Sequence, residues 1–157
     1  ALSNKVTLAD VNQLAVRPVS VGQIPNGFPT YFDSDTDVRD IFIHSFESKA
    51  LSDYFYATYF SSNTFYTREE QLEPLKVMNK ITDIKDDIVF DCTYGGVALA
   101  CNMNHVASIS VKVVETRFKE KMDFQDYAKI LEAYISVGKV VSTAISDIGS
   151  MDILEGM

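Results

Sequence analysis

The clearest periodicity in the chain lies between Ala107 and Val114. One face carries Ala107, Ile109, Val111 and Val113, and the other carries Ser108, Ser110, Lys112 and Val114. A period of two predicts a strand with one side on a core and the other toward solvent or a polar partner. Asp40 to Phe46 is β-branched and aromatic between acidic loop residues and also predicts a strand. So does the aromatic run Tyr54 to Phe60, with Thr64-Phe65-Tyr66-Thr67 as its continuation past Ser61-Ser62-Asn63. Lys5 to Val11 and Leu14 to Val21 pair as an N-terminal hairpin; a short helix over residues 8–15 is the alternative. Pro25-Asn26-Gly27-Phe28-Pro29 has turn chemistry. Arg68 to Leu75 is either a short helix or a polar connection interrupted by Pro74. Lys76 to Phe90 fits a strand with Lys76, Lys80 and Thr82 on one face and Val77 and Ile81 on the other. The glycine turn Gly95-Gly96 follows.

The period changes in the last third. Asp123 is a good helix N-cap, and Asp126 places an acid in the first turn. Phe124, Tyr127, Ala128, Leu131, Tyr134 and Ile135 form one apolar stripe at helical spacing. Gly138 ends that helix. Val141, Ala144, Ile145 and Ile148 form a second, shorter stripe that ends at Gly149. Strands first and two helices last predict an α+β fold, with the helices on one face of an antiparallel sheet. Without internal repeats, low-complexity tracts or linker composition, residues 1–157 read as a single domain.

Composition narrows the function classes. Apolar residues make up 46% of the chain, which is the composition of a globular protein. No apolar run approaches the ~20 residues of a membrane helix. Ala1-Leu2-Ser3-Asn4-Lys5 lacks the blocks of a signal peptide and reads as a start from which the initiator Met was removed. Acids outnumber bases 22 to 14, a net charge of -8, which argues against a broad phosphate-binding surface.

Candidate chemistry is sparse. Two cysteines and two histidines are too few for a convincing closed zinc site. Gly95-Gly96 lacks the lysine that follows in a phosphate loop, and no nucleophile elbow is present. His44 and His105 read as a strand and a loop histidine. Asp86, Asp87 and Asp91 read as a solvated acidic turn. Asp33, Asp35 and Asp37 alternate as in a calcium loop, but that loop's glycine and terminal glutamate are missing. Tyr54-Phe55-Tyr56 reads as sheet core or interface before it reads as a base-stacking platform. No catalytic residue, metal site or cofactor is expected.

The second half of the chain resembles the coat proteins of small single-stranded RNA phages. Thr93-Tyr94-Gly95-Gly96-Val97-Ala98-Leu99 is similar to the Gly-Gly-Val loop between that family's last two strands. The alternating strand Val106 to Val114 follows, and then helix, break and helix from Asp123 to Ile148. Lys5-Val6-Thr7-Leu8 is similar to the first strand of some members. The resemblance covers residues 88–150 and the N-terminal hairpin. It implies an N-terminal β-hairpin, an antiparallel sheet of about five strands and two C-terminal helices that cross onto a partner in an intertwined homodimer. Such dimers build an icosahedral shell around RNA, assembled in the host cytoplasm and found in the virion.

On that resemblance Phe124, Tyr127, Leu131, Tyr134 and Ile135 would form the dimer interface. Ser108, Ser110 and Lys112, with Lys76, Lys80 and Thr82 on the neighbouring strand, would face the RNA. Cys92 and Cys101, flanking the Gly-Gly loop, would cross-link subunits. The chain departs from the pattern in its extra residues between about 47 and 75 and in its acidity. A non-catalytic phage tail or accessory subunit, or an acidic inhibitor-type binding protein, is the competing expectation. A small hydrolase is a third, which no residue pattern supports and which a deep polar pocket would favour.

Overall fold

Leu2–Leu8 (β1) is buried at Leu2, Ser3, Val6 and Thr7, on both of its faces rather than on one. A computed structural model describes residues 1–9, 29–51, 53–63, 87–115 and 124–155. The other elements are strands Phe32–Asp33 (β2), Tyr56–Ser61 (β3) and Asp87–Asp91 (β4), and helices Thr36–Ser48 (α1), Tyr94–Met103 (α2) and Phe124–Glu155 (α3). The chain divides into two compact units. One comprises Ala1–Leu2, Asp35–Phe55 and Val111–Met157; the other comprises Ser3–Ser34 and Tyr56–Ser110.

The second unit holds a four-stranded sheet in the order β2-β1-β3-β4. β2 is antiparallel to β1, with Lys5 opposite Asp33 and Val6 opposite Phe32. β3 and β4 are parallel, in register from Ala57 opposite Asp87 to Ser61 opposite Asp91. The Leu2 N–H donates to Phe55 O and the Ala9 N–H to Ser61 O, both at 2.8 Å. Those pairs advance together, so β1 and β3 also run in the same direction. In β3 every residue from Ala57 to Ser61 is buried. Unbroken burial is the mark of an inner parallel strand covered on both faces, and it is why the expected all-antiparallel sheet of about five strands is not formed. The expected N-terminal hairpin is not seen either: β1 takes β2 as its antiparallel neighbour, and Leu14 to Val21 lie outside the described residues.

Gly95-Gly96 does not turn between two strands but begins α2. A Cβ on Gly95 would lie 2.5 Å from Leu8 Cδ2 and from Ser61 Cβ. Only glycine lets the first turn of α2 approach the sheet so closely. The segment with perfect alternation contributes a single isolated bridge, Val111 to Leu2. Its most buried residue is Ser110, from the face expected to be polar and open. The Ser110 N–H donates to Ser3 Oγ at 2.9 Å, and the Ser3 N–H donates to Ser110 O at 2.9 Å. Those two bonds draw the serine inward, against the apolar pattern.

The first unit is built on two helices that pack on each other, α1 and α3. The expected strand Asp40 to Phe46 lies inside α1. Asp35 caps this helix by accepting the Val38 N–H at 2.9 Å, with Asp37 in the first turn. Phe42, Ser45 and Phe46 are its buried residues, at the i, i+3, i+4 spacing of one helical face. α3 is one helix of 32 residues, roughly 48 Å long. Neither Gly138 nor Gly149 breaks it, because an interior glycine costs only about 1 kcal/mol relative to alanine. It buries Val140 and Ala144, one turn apart, rather than the stripe of larger residues. The two C-terminal helices required for an intertwined dimer are therefore absent as such.

Candidate functional site

In parallel α/β sheets the working crevice lies outside the carboxyl ends of the strands. Here β3 ends at Ser61 and β4 at Asp91, side by side. Asp91 is buried, and its carboxylate gathers the groups around it. It accepts the backbone N–H of Thr93 at 3.0 Å and that of Tyr94, both at the start of α2. Its oxygens also accept the Thr93 hydroxyl at 3.2 Å and the Ser61 hydroxyl at 3.3 Å. Ser61 Oγ in turn accepts the Gly95 N–H at 2.9 Å. Three donors that begin a helix, which would otherwise be unpaired, are thus satisfied by two side chains at the strand ends. A carboxylate held by so many donors fixes the helix in place. What remains outward at this end is Asn63, Cys92, Thr93 and Gly96, all exposed.

Other hydroxyls of this unit are paired as well. The Tyr94 hydroxyl donates to Ser108 Oγ at 3.1 Å, and the Tyr94 ring meets Tyr59 edge-on with centroids 6.1 Å apart. Ser3 Oγ and Ser34 Oγ are bonded at 2.7 Å. Burial pushes the Tyr59 phenol far above its ordinary range; its bond to Ser110 opposes that shift, and the Asp91 charge adds to it. Tyr59 therefore stays a neutral hydroxyl.

The acidic turn expected from Asp86, Asp87 and Asp91 hides two different residues. Asp87 is exposed at the start of β4, whereas Asp91 is the buried anchor at its end. The signal was local: an acid three residues before Tyr94, the first residue of a helix that opens on two glycines. Of the residues expected to face RNA, Ser108 and Lys112 are half-buried and Ser110 is buried. Lys76, Lys80 and Thr82 lie outside the described residues. Cys92 and Cys101 are free thiols, the first just before α2 and the second within it. Phe124 opens α3, and Tyr127, Leu131, Tyr134 and Ile135 are exposed along it. His44 is exposed on α1, and His105 follows α2 with a positive φ of 54°. No group of metal-ligating side chains occurs among the described residues.

This mixed α/β sheet, with β3 and β4 parallel and ending side by side, has the fold seen in solved structures of nucleosidases. Solved structures with this fold include the 5'-methylthioadenosine/S-adenosylhomocysteine nucleosidase of Campylobacter jejuni. That protein is 17% identical with a TM-score of 0.68, over 90% of this chain and 58% of its own. The nucleosidase of the same name from Neisseria meningitidis, in complex with methylthio-immucillin-A, gives 16% and 0.69, over 93% of this chain and 60% of its own. A futalosine hydrolase mutant of Helicobacter pylori gives 11% and 0.68, over 93% and 58%. The chain thus spans about three-fifths of the length of the structures it matches. No family model matches the sequence, and no curated protein is a detectable relative.

These likenesses overturn the coat-protein resemblance. The Gly-Gly segment and the alternating stretch on which that resemblance rests form a helix start and an isolated bridge here. The structures that share the fold are enzymes acting on small molecules. The expectations that fall are the non-catalytic capsid subunit, the homodimer shell with RNA and the virion location.

Proposed function

We propose that this chain forms the nucleoside-binding sheet and crevice of an enzyme that cleaves the N-glycosidic bond of a small purine nucleoside. The observation that carries this reading is the clamp of α2 onto the ends of β3 and β4 by Asp91 and Ser61, in a fold shared with nucleosidases. Cleavage of that bond builds positive charge on the sugar and negative charge on the departing base. A protein promotes it by holding the ribose hydroxyls and by offering donors to the base. Thr93 suits the first task. Its hydroxyl donates to Asp91, which polarises its oxygen toward accepting a bond from a ribose hydroxyl. Asn63 carries both a donor and an acceptor for the base or sugar. Asp91 itself acts as a positioning residue, because its oxygens are already engaged.

The test is release of adenine from 5'-methylthioadenosine by the purified chain, followed chromatographically, with nucleoside binding measured in parallel by calorimetry. Adenine release that falls at least ~10-fold in Thr93→Val, the scale of one lost hydrogen bond to a charge-developing group, is the expected result. The absence of both release and binding at millimolar nucleoside would overturn the reading.

A further inference from the structure

We infer that the depression beside α3 is a binding site for the phosphate group of a small phosphate monoester, independent of the nucleoside crevice. The depression has a volume of about 480 Å³ and is lined by Lys49, Ile135, Gly138, Lys139, Ser142 and Thr143, all in the helical unit. The chain carries 22 acids against 14 bases, yet among the described residues this lining holds two cations and no carboxylate. The ion pairs Arg39 with Asp40 and Lys129 with Asp126 involve neither lysine. Two ammonium groups on one depression repel each other, and a dianion between them turns that repulsion into attraction. A phosphate monoester is close to a dianion at neutral pH, so its charge matches the pair. Ser142 adds a hydroxyl donor. Thr143 forms wall only, since its hydroxyl donates to Lys139 O at 3.0 Å.

Gly138 supplies the second observation. A glycine in the middle of a long helix lowers the helix's stability. A Cβ there would meet nothing within 4 Å, so no packing within the protein calls for its small size. Where it lines the depression, however, the missing side chain opens the helix backbone to a ligand. Ile135, 53% exposed, borders the same space and offers an apolar edge for the organic part of the ester.

The test is calorimetric titration of the full chain with phenyl phosphate and with inorganic phosphate at low ionic strength, where exposed charges act most strongly. Saturable one-to-one binding is expected, tighter for phenyl phosphate than for inorganic phosphate. Lys49→Ala and Lys139→Ala should each weaken it ~5-fold, the scale of one exposed charge contact, and the double variant should abolish it. Gly138→Ala should raise the Tm by ~3 °C while weakening binding, a combination that a damaged fold cannot produce. No saturable binding, unchanged binding in the double lysine variant, unchanged binding in Gly138→Ala, or tighter binding of inorganic phosphate would each overturn the proposal.

Discussion

The carboxyl end of β4 and the outer face of α3 are opposites. At β4 the chain buries polar atoms and joins each to a partner: Asp91 to Ser61, Thr93 and the first N–H groups of α2. Along α3 it leaves large apolar side chains in the open, with Tyr127 60% and Leu131 62% exposed. A buried, bonded group is costly to remove because its partners lose water and bond together. An exposed side chain has little at stake in folding. Stability in this protein should therefore depend on the strand ends and be nearly indifferent to the helix face.

Gly95→Ala tests that contrast with the largest effect. The added methyl meets Ser61 Cβ and Leu8 at 2.5 Å. Overpacking against backbone-anchored atoms should cost ~3 kcal/mol, read as a lowered urea midpoint. Asp91→Ala should cost ~2–3 kcal/mol, since it leaves the Thr93 and Tyr94 N–H groups without the carboxylate they donate to; Ser61→Ala should cost less than half of that in the same titration.

Alkaline pH probes the same neighbourhood through Tyr59. Burial raises its pKa in the folded state, so the unfolded chain ionises first, near the ordinary phenol value of about 10. Below that pH the contribution is constant; as pH rises from about 10 to 11, stability falls by ~1 kcal/mol. Tyr59→Phe should remove that slope in chemical denaturation between pH 10 and 11.

Smaller effects belong to the helical unit. Ala50 follows α1 with φ of 52°, and its N–H donates to Glu47 O at 2.9 Å. A helix stop in this conformation favours glycine, so Ala50→Gly should stabilise the protein by ~1 kcal/mol, seen as a rise in Tm. Leu131→Gln on the open face of α3 should change stability by less than ~0.5 kcal/mol. A large loss there would show that the exposed stripe is covered in solution.

These same regions show what could be read before the fold was known. The aromatic run at β3 was recognisable as a strand, and its burial on both faces came from its place inside the sheet. In α1 the β-branched and aromatic composition outweighed two helical signals, the Asp35 cap and the four-residue spacing of Phe42 and Phe46. The alternation from Ala107 to Val114 misled because hydrogen bonds to Ser3, more than a hundred residues away, decide which residue turns inward. Gly95 was visible as a glycine, but the reason for it is Ser61, on strand β3. The candidate site was illegible for the same cause: Asp91 and Ser61 are thirty positions apart, and only the parallel pairing of β3 with β4 makes them neighbours.

The most direct test of the account is a nucleoside titration followed by amide NMR shifts. Binding in the strand-end crevice predicts saturable shifts concentrated at Asn63, Cys92, Thr93 and Gly96, and their loss in Thr93→Val. Shifts gathered instead on α3, or none at millimolar nucleoside, would contradict it.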